Sequence, residues 1–212
     1  MSSGRGFFLT IEGVEGAGKS TLAAAIGREI SRSGREVVIT AEPGGDILSD
    51  RIRGLVLDLN CKISDRAELL LFEAARAQHV DVKIRPALSR GAVVICDRFI
   101  DSSIAYQGFA RGIDIDTVRW LNNYATSGLK PDLTILLDLP PDTGLARQLG
   151  VDRVSSEGIA FLDKVRQGYI SIAASEPERF VRIDASRSME EVTSAALAAV
   201  SKFIRELSGS DC

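Results

Sequence analysis

The sequence predicts an α/β fold, a three-layer α/β/α arrangement around a parallel sheet of five strands. Three observations point there. Short apolar runs alternate with longer helical patterns, as parallel sheets with crossover helices require. The run 92–97, Ala-Val-Val-Ile-Cys-Asp, is apolar at successive positions, as a strand covered on both faces must be. A glycine-rich stretch links the first strand directly to the first helix.

In chain order, Phe7–Glu12 reads as the first strand. Residues 21–33 form a helix with Leu22, Ile26 and Ile30 on one stripe, stopped by Gly34. A second strand covers 37–40, and a helix 48–59. A long helical pattern runs over 65–88, opened by acidic residues and bent or broken near Pro86. The third strand is 92–97, followed by a helix at 116–125, a fourth strand at 134–139 and a fifth at Phe180–Asp184. A last helix starts at Ser188, where Glu191 completes a capping box, and ends near 207. With 212 residues and no repeat or linker, the chain reads as a single domain over 1–212. The polar, poorly periodic stretch 150–158 sits between two helices as a short lid.

Composition narrows the function classes. Hydrophobic residues make up 45% and charged residues 26%, a globular balance. The net charge of -3 argues against nucleic acid as a partner, because such binders carry a basic excess. Cys61, Cys96 and Cys212 are odd in number, widely spaced and form no CxxC pair. They fit a reduced cytoplasm. The start is polar and lacks a signal-peptide core, and no apolar run is long enough to span a membrane.

Gly13-Val14-Glu15-Gly16-Ala17-Gly18-Lys19-Ser20 matches G-x-x-x-x-G-K-[ST] in its strand-to-helix context. Glycines let backbone amides turn around phosphate oxygens, and the helix N-terminus adds partial positive charge. Lys19 reaches β- and γ-phosphates, and the Ser20 hydroxyl holds magnesium. Lys19 is expected in a solvent-facing loop. No Asn-Lys-x-Asp motif of guanine readers is present, so a small kinase is the simplest class. Loops after the second and third strands face the same crevice. That places Asp97, Arg98 and Arg53 where a second phosphate sits. Arg53 reads equally well as a solvated helix charge, and Phe72 as core packing. Arg76 shares the face of Phe72 four residues on, and a buried arginine needs a partner. His79, the one histidine, reads as structural or helix-surface.

These motifs resemble bacterial thymidylate kinases across nearly the whole chain. The match is carried by residues 12–21, by Glu42-Pro43-Gly44-Gly45, by residues 71–79 (LFEAARAQH), and by Asp97-Arg98-Phe99 with Ala105-Tyr106-Gln107-Gly108. The resemblance implies a nucleoside monophosphate kinase fold with a short lid. It implies transfer of the γ-phosphoryl of ATP to dTMP, giving dTDP and ADP for dTTP synthesis, with Mg2+ and a cytoplasmic homodimer pairing through 65–88 and 116–125. It gives Gly13 to Thr21 to ATP, with Arg147 on the adenine or donor phosphates. Arg53 and Arg98 hold the acceptor phosphate, with Pro43 in the same loop set. Phe72 stacks on thymine and Arg76 bonds its edge, with Ser103 and Gln107 near the base. Tyr106 packs on the sugar, Glu15 lies near the 3'-hydroxyl, and Asp97 lies near magnesium or its waters. Another deoxynucleotide acceptor and a non-catalytic ATP-binding module are the competing readings.

The sequence departs from the family pattern at three places. Asp46 stands where Thr usually follows Glu-Pro-Gly-Gly, and Ala41 stands where Arg often precedes it. In the short lid, basic residues reduce to Arg147 and Arg153, and Ser155 stands where Glu is common. With no basic residue among Val14, Glu15, Gly16 and Ala17, the cation for the transferring phosphoryl group is expected from Arg153. The competing expectation pairs Arg153 with Asp152 or Glu157 on the surface.

Overall fold

All five strands run parallel in the order β2-β3-β1-β4-β5, with β1 at Phe7–Glu12, β2 at Val37–Ala41, β3 at Val93–Asp97, β4 at Leu133–Asp138 and β5 at Phe180–Asp184. The computed structural model describes residues 6–148, 150 and 153–209, with side chains to residue 203. The expectations for Asp152, Cys212 and the polar start at 1–5 lie outside the described residues. The central strand β1 pairs with β3 (Leu9 beside Ile95) and with β4 (Ile11 beside Ile135). Its alternation sorts the two faces. Phe7, Leu9 and Ile11 join a core with Leu22 and Ile26 of α1 (Lys19–Arg32) and with Val192 and Ala196 of α9 (Met189–Gly209). Phe8 points the other way, into a core with Val80, Ile84, Val94, Cys96 and Phe99. This is the three-layer architecture that the alternation of elements predicts. Ser188 and Glu191 exchange the hydrogen bonds of a capping box at the start of α9.

The remaining helices are α2 (Ile47–Leu57), α3 (Asp65–His79), α4 (Arg85–Ser89), α5 (Ile100–Ser103), α6 (Ile115–Thr126), α7 (Pro141–Arg147) and α8 (Ile159–Ser175). The long pattern 65–88 is not one uniform α-helix. It passes from α3 through a π-helical turn at Val80–Ile84 into α4, with Pro86 in the first turn of α4. Pro86 has no N–H to donate, so the wider turn ahead of it absorbs the change of hydrogen-bond register. The segment after β3, whose sequence shows no clear helical or strand period, is also helical. Here α5 runs into a π-helical stretch at Ile104–Ala110. That stretch packs against α8. No helix among the described residues is long and apolar enough to cross a membrane.

Candidate functional site

The carboxyl ends of β1, β2 and β3 open into a cavity of about 520 Å³. Its floor is the loop between β1 and α1. Gly16 sits at φ 71°, and a Cβ there would lie 2.0 Å from the Gly144 carbonyl oxygen of α7. Only glycine allows that approach and that backbone angle. Val14 and Ala17 anchor the loop in the core, while Glu15, Gly16, Gly18, Lys19, Ser20 and Thr21 line the cavity.

Lys19 is only 8% exposed, which corrects the expectation of a solvent-facing residue. Its Nζ folds back under the loop and donates to the Val14 carbonyl at 2.8 Å. Burial, with the Arg98 charge beside it, lowers its pKa to about 8 against the pull of Asp97, Glu15 and Glu12. The Ser20 hydroxyl donates to Asp97 Oδ2 at 2.5 Å, so the two residues meet at the cavity edge although 77 positions separate them.

Arg98 occupies the left-handed region at φ 69° directly after β3. Its guanidinium donates to the Gly13 carbonyl, the Tyr169 hydroxyl and Glu15 Oε1 at 2.9, 3.1 and 2.9 Å. It also stacks over the Tyr106 ring, whose hydroxyl donates to the same Glu15 oxygen at 2.7 Å. Below it, Glu12 accepts from Phe99 N, Ser102 Oγ and Tyr169 OH. Burial first, then the Asp101 charge, raises Glu12 to about 7.

On the far wall, Phe72 is half-buried against Ile52, Val56 and Ala75 and turns toward the cavity. Arg76 is 2% exposed and is tied on every side. Nε donates to Glu42 at 2.7 Å, and one terminal nitrogen to Glu73, Ser103 and Asn122 at 2.6, 2.9 and 2.6 Å. Pro43, Arg53, Ser103, Tyr106 and Gln107 complete the lining, and Arg53 donates to the Pro43 carbonyl. His79 is fully buried rather than at the helix surface. It bridges Thr40 and Glu42, and a Cβ on Gly45 would come 2.6 Å from its ring. Its role is to seat the loop after β2. The Glu42, His79 and Cys96 donors lie within 4.8 Å of one another, but these hydrogen bonds and that of Cys96 to the Arg98 carbonyl already engage them.

Two expected residues are not brought to this cavity. Arg147 donates to the Ala185 carbonyl at the end of β5. Arg153 lies 12% exposed against Glu68 and donates to the Val56 carbonyl at 2.8 Å. Its partner is therefore a buried carboxylate on α3, not the surface Glu157, which pairs with Arg111.

A sequence model described as thymidylate kinase matches residues 11–196. The thymidylate kinase of Desulfovibrio desulfuricans is 47% identical over 209 residues, covering 93% of this chain and 96% of the relative. That of Geotalea uraniireducens is 45% identical over 205 residues, covering 92% and 96%. The crystal structure of thymidylate kinase from Ehrlichia chaffeensis superposes with a TM-score of 0.78 at 32% identity, over 93% of this chain and 99% of that one.

The chain belongs to the thymidylate kinase family.

In the thymidylate kinase family reading, a divalent cation is the group to test against this cavity edge. The donor set fits one: a serine hydroxyl and a carboxylate, both hard oxygen ligands, already in contact at the cavity edge. Several residues that surround the cavity stand outside the roles the sequence suggests. Glu12, Glu42 and Glu73 lie within the motifs at 12–21, 42–45 and 71–79, beside Gly13, Pro43 and Phe72. Ser102 lies in the run after β3. Tyr169, Glu68 and Asn122 carry no local signal, because only the fold brings them together with the cavity residues.

Proposed function

We infer that this chain transfers the γ-phosphoryl group of ATP to dTMP, forming dTDP and ADP on the way to dTTP. One observation carries this reading. A single cavity is lined by Lys19 and Ser20, by Arg98, and by Phe72, Arg76 and Gln107. A donor phosphate chain and an acceptor nucleotide therefore meet over Arg98.

In this reading, amides of residues 13–18 and the N-terminus of α1 hold the donor phosphates. Lys19 leaves Val14 to neutralise charge that grows on the transferring group. Ser20 and Asp97 hold magnesium, which supplies further charge neutralisation when bound. Arg98 and Arg53 hold the acceptor phosphate and align its oxygen for direct attack. Phe72 offers a stacking face to the base, while Arg76, Ser103 and Gln107 meet its edge. Glu15, braced by Arg98 and Tyr106, keeps Oε2 without a hydrogen-bond partner and accepts from the 3'-hydroxyl. Tyr106 packs on the sugar and disfavours a 2'-hydroxyl. Arg147 stays on the donor side, near the adenine. Arg153 acts from its place on Glu68, and a role at the phosphoryl group requires it to leave that carboxylate.

The chain is proposed to work in the cytoplasm as a homodimer. The supporting observation is a stacked, exposed Trp120–Tyr124 pair on α6, with exposed Leu70 on α3. An ADP-release assay across the nucleoside monophosphates tests the reaction. Turnover highest with dTMP is expected, and turnover equal for dCMP and dTMP, or none with either, overturns it.

A further inference from the structure

Glu68 is a carboxylate buried at 1% exposure on α3, outside the cavity lining. It meets three side chains. Gln107 Nε2 lies 2.8 Å from Oε1. Arg111 approaches both oxygens, at 3.3 and 3.1 Å. Arg153 pairs with Oε2. Burial alone raises a carboxyl pKa, but hydrogen bonds from Gln107, Arg153 and Arg111 outweigh it and hold Glu68 below its ordinary range. Glu68 is thus ionised, and an ionised carboxylate only accepts hydrogen bonds. The amide end of Gln107 that faces it must be the NH2 group.

We propose that Glu68 is a positioning residue for base selection, because it fixes the Gln107 amide with its nitrogen turned away and its carbonyl oxygen turned to the base. The proposal rests on the reading of the cavity as a dTMP site. Gln107 lines the cavity and is itself 2% exposed, so its amide has little room to reorganise. A fixed carbonyl oxygen is an acceptor. It matches the N3–H of thymine, and it opposes the bare N3 of cytosine, which is also an acceptor. A freely flipping amide would satisfy either base. Arg111 and Arg153 serve the same end by keeping Glu68 charged. Arg111 is in turn held by Glu157 at 2.6 Å and by the Phe161 ring.

The test is the ratio of kcat/KM for dTMP to that for dCMP. In Glu68→Gln the partner becomes an amide that can donate or accept, and Gln107 is released to flip. The ratio is expected to fall about tenfold or more, with KM for ATP unchanged, since an unmatched buried polar group is what discriminates. A merely structural role lowers both substrates alike and leaves the ratio intact; that result overturns the proposal. Arg153→Ala leaves Arg111 on both Glu68 oxygens, so Gln107 keeps an ionised partner and the ratio is expected to stay near the wild-type value. Should Glu68→Gln not fold, the wild-type enzyme decides by NMR with 15N-labelled glutamine. The Gln107 NH2 signal, assigned by its loss in Gln107→Asn, is expected to show slowed exchange without ligand and to stay in place when dTMP saturates the site. An NH2 group that moves into contact with the base overturns the proposal. The unliganded measurement does not depend on the substrate, so failure of dTMP as acceptor would count against the proposed reaction and not against the Glu68–Gln107 contact.

Discussion

Arg76 and Glu42 face each other at 2.7 Å with both side chains nearly inaccessible to water, 2% and 3% exposed. Glu73 lies on the other side of the same guanidinium at 2.6 Å. A residue proposed to meet the base is thereby also the counter-charge for two buried carboxylates. Removing one partner of such a cluster leaves uncompensated charge in the interior. Arg76→Ala is expected to destabilise the protein by about 3–5 kcal/mol in urea unfolding. Arg76→Lys keeps the charge but not the planar fork, and should fall between. A loss under about 1 kcal/mol for the alanine variant would show that water enters and resolvates the carboxylates.

The buried Lys19 ammonium makes a pH prediction. With its pKa lowered to about 8, the free enzyme loses this charge at a pH where a surface lysine keeps it. kcat/KM for ATP is therefore expected to fall above about pH 8, by about tenfold per pH unit, because it reports the free enzyme. kcat at saturating ATP should hold to higher pH, since bound phosphate stabilises the ammonium. Lys19→Ala should lower kcat by about 100-fold or more. A pH profile flat to pH 10 would remove Lys19 from the proposed mechanism.

Asp46, the departure after Glu-Pro-Gly-Gly, is the N-cap of α2. It accepts from Leu48 N and Ser49 N at 2.9 and 3.2 Å and from the Ser49 hydroxyl. Threonine at this position caps by the same chemistry, so the loop keeps its function with a different residue. Asp46→Ala is expected to cost about 1 kcal/mol, and Asp46→Thr a few tenths. Burial pushes the Asp46 carboxyl up, but the Ser49 and Leu48 hydrogen bonds outweigh it and hold it below its ordinary 3.8. A depressed folded-state pKa means the stabilisation is complete above about pH 4 and is lost as pH falls further. Thermal melts of the three proteins between pH 3 and 7 check this. The wild type and Asp46→Ala should converge at the acid end.

The parts of the site that were legible in sequence are those whose chemistry is local. The spacing of Gly13, Gly18, Lys19 and Ser20 specifies the cradle because strand, turn and helix lie within one stretch. Phe72 and Arg76 reach the same cavity because four residues make one helical turn. The illegible parts are long-range pairs. Tyr169 reaches Glu12 across 157 positions, and Asn122 reaches Arg76 across 46. No periodicity encodes such meetings. The burial of Lys19 was hidden for another reason: its own loop covers it, and a motif does not state how far a side chain folds back.

Arg153 shows what such a pair does to a functional expectation. Its position in the lid and the absence of a basic residue among Val14, Glu15, Gly16 and Ala17 favour a role at the transferring phosphoryl group. Its contacts favour another role. The backbone N–H donates to the Leu57 carbonyl, the guanidinium donates to the Val56 carbonyl, and Glu68 supplies a buried counter-charge in place of the more exposed Glu157. All three contacts fasten the start of the short lid to α2 and α3, on the acceptor side. Leaving them exposes Glu68 to the loss of a charge-assisted hydrogen bond, a cost of about 1.5–3 kcal/mol. Arg153→Ala is therefore expected to lower stability by about that amount and to change kcat with saturating ATP by no more than about twofold. A transition-state cation predicts the reverse pattern: kcat and kcat/KM falling together by tenfold or more, with KM for dTMP unmoved. Steady-state kinetics and one melting curve of this variant separate the two. A large fall in kcat with stability intact would return the residue to the phosphoryl group and require the pair with Glu68 to open in each turnover.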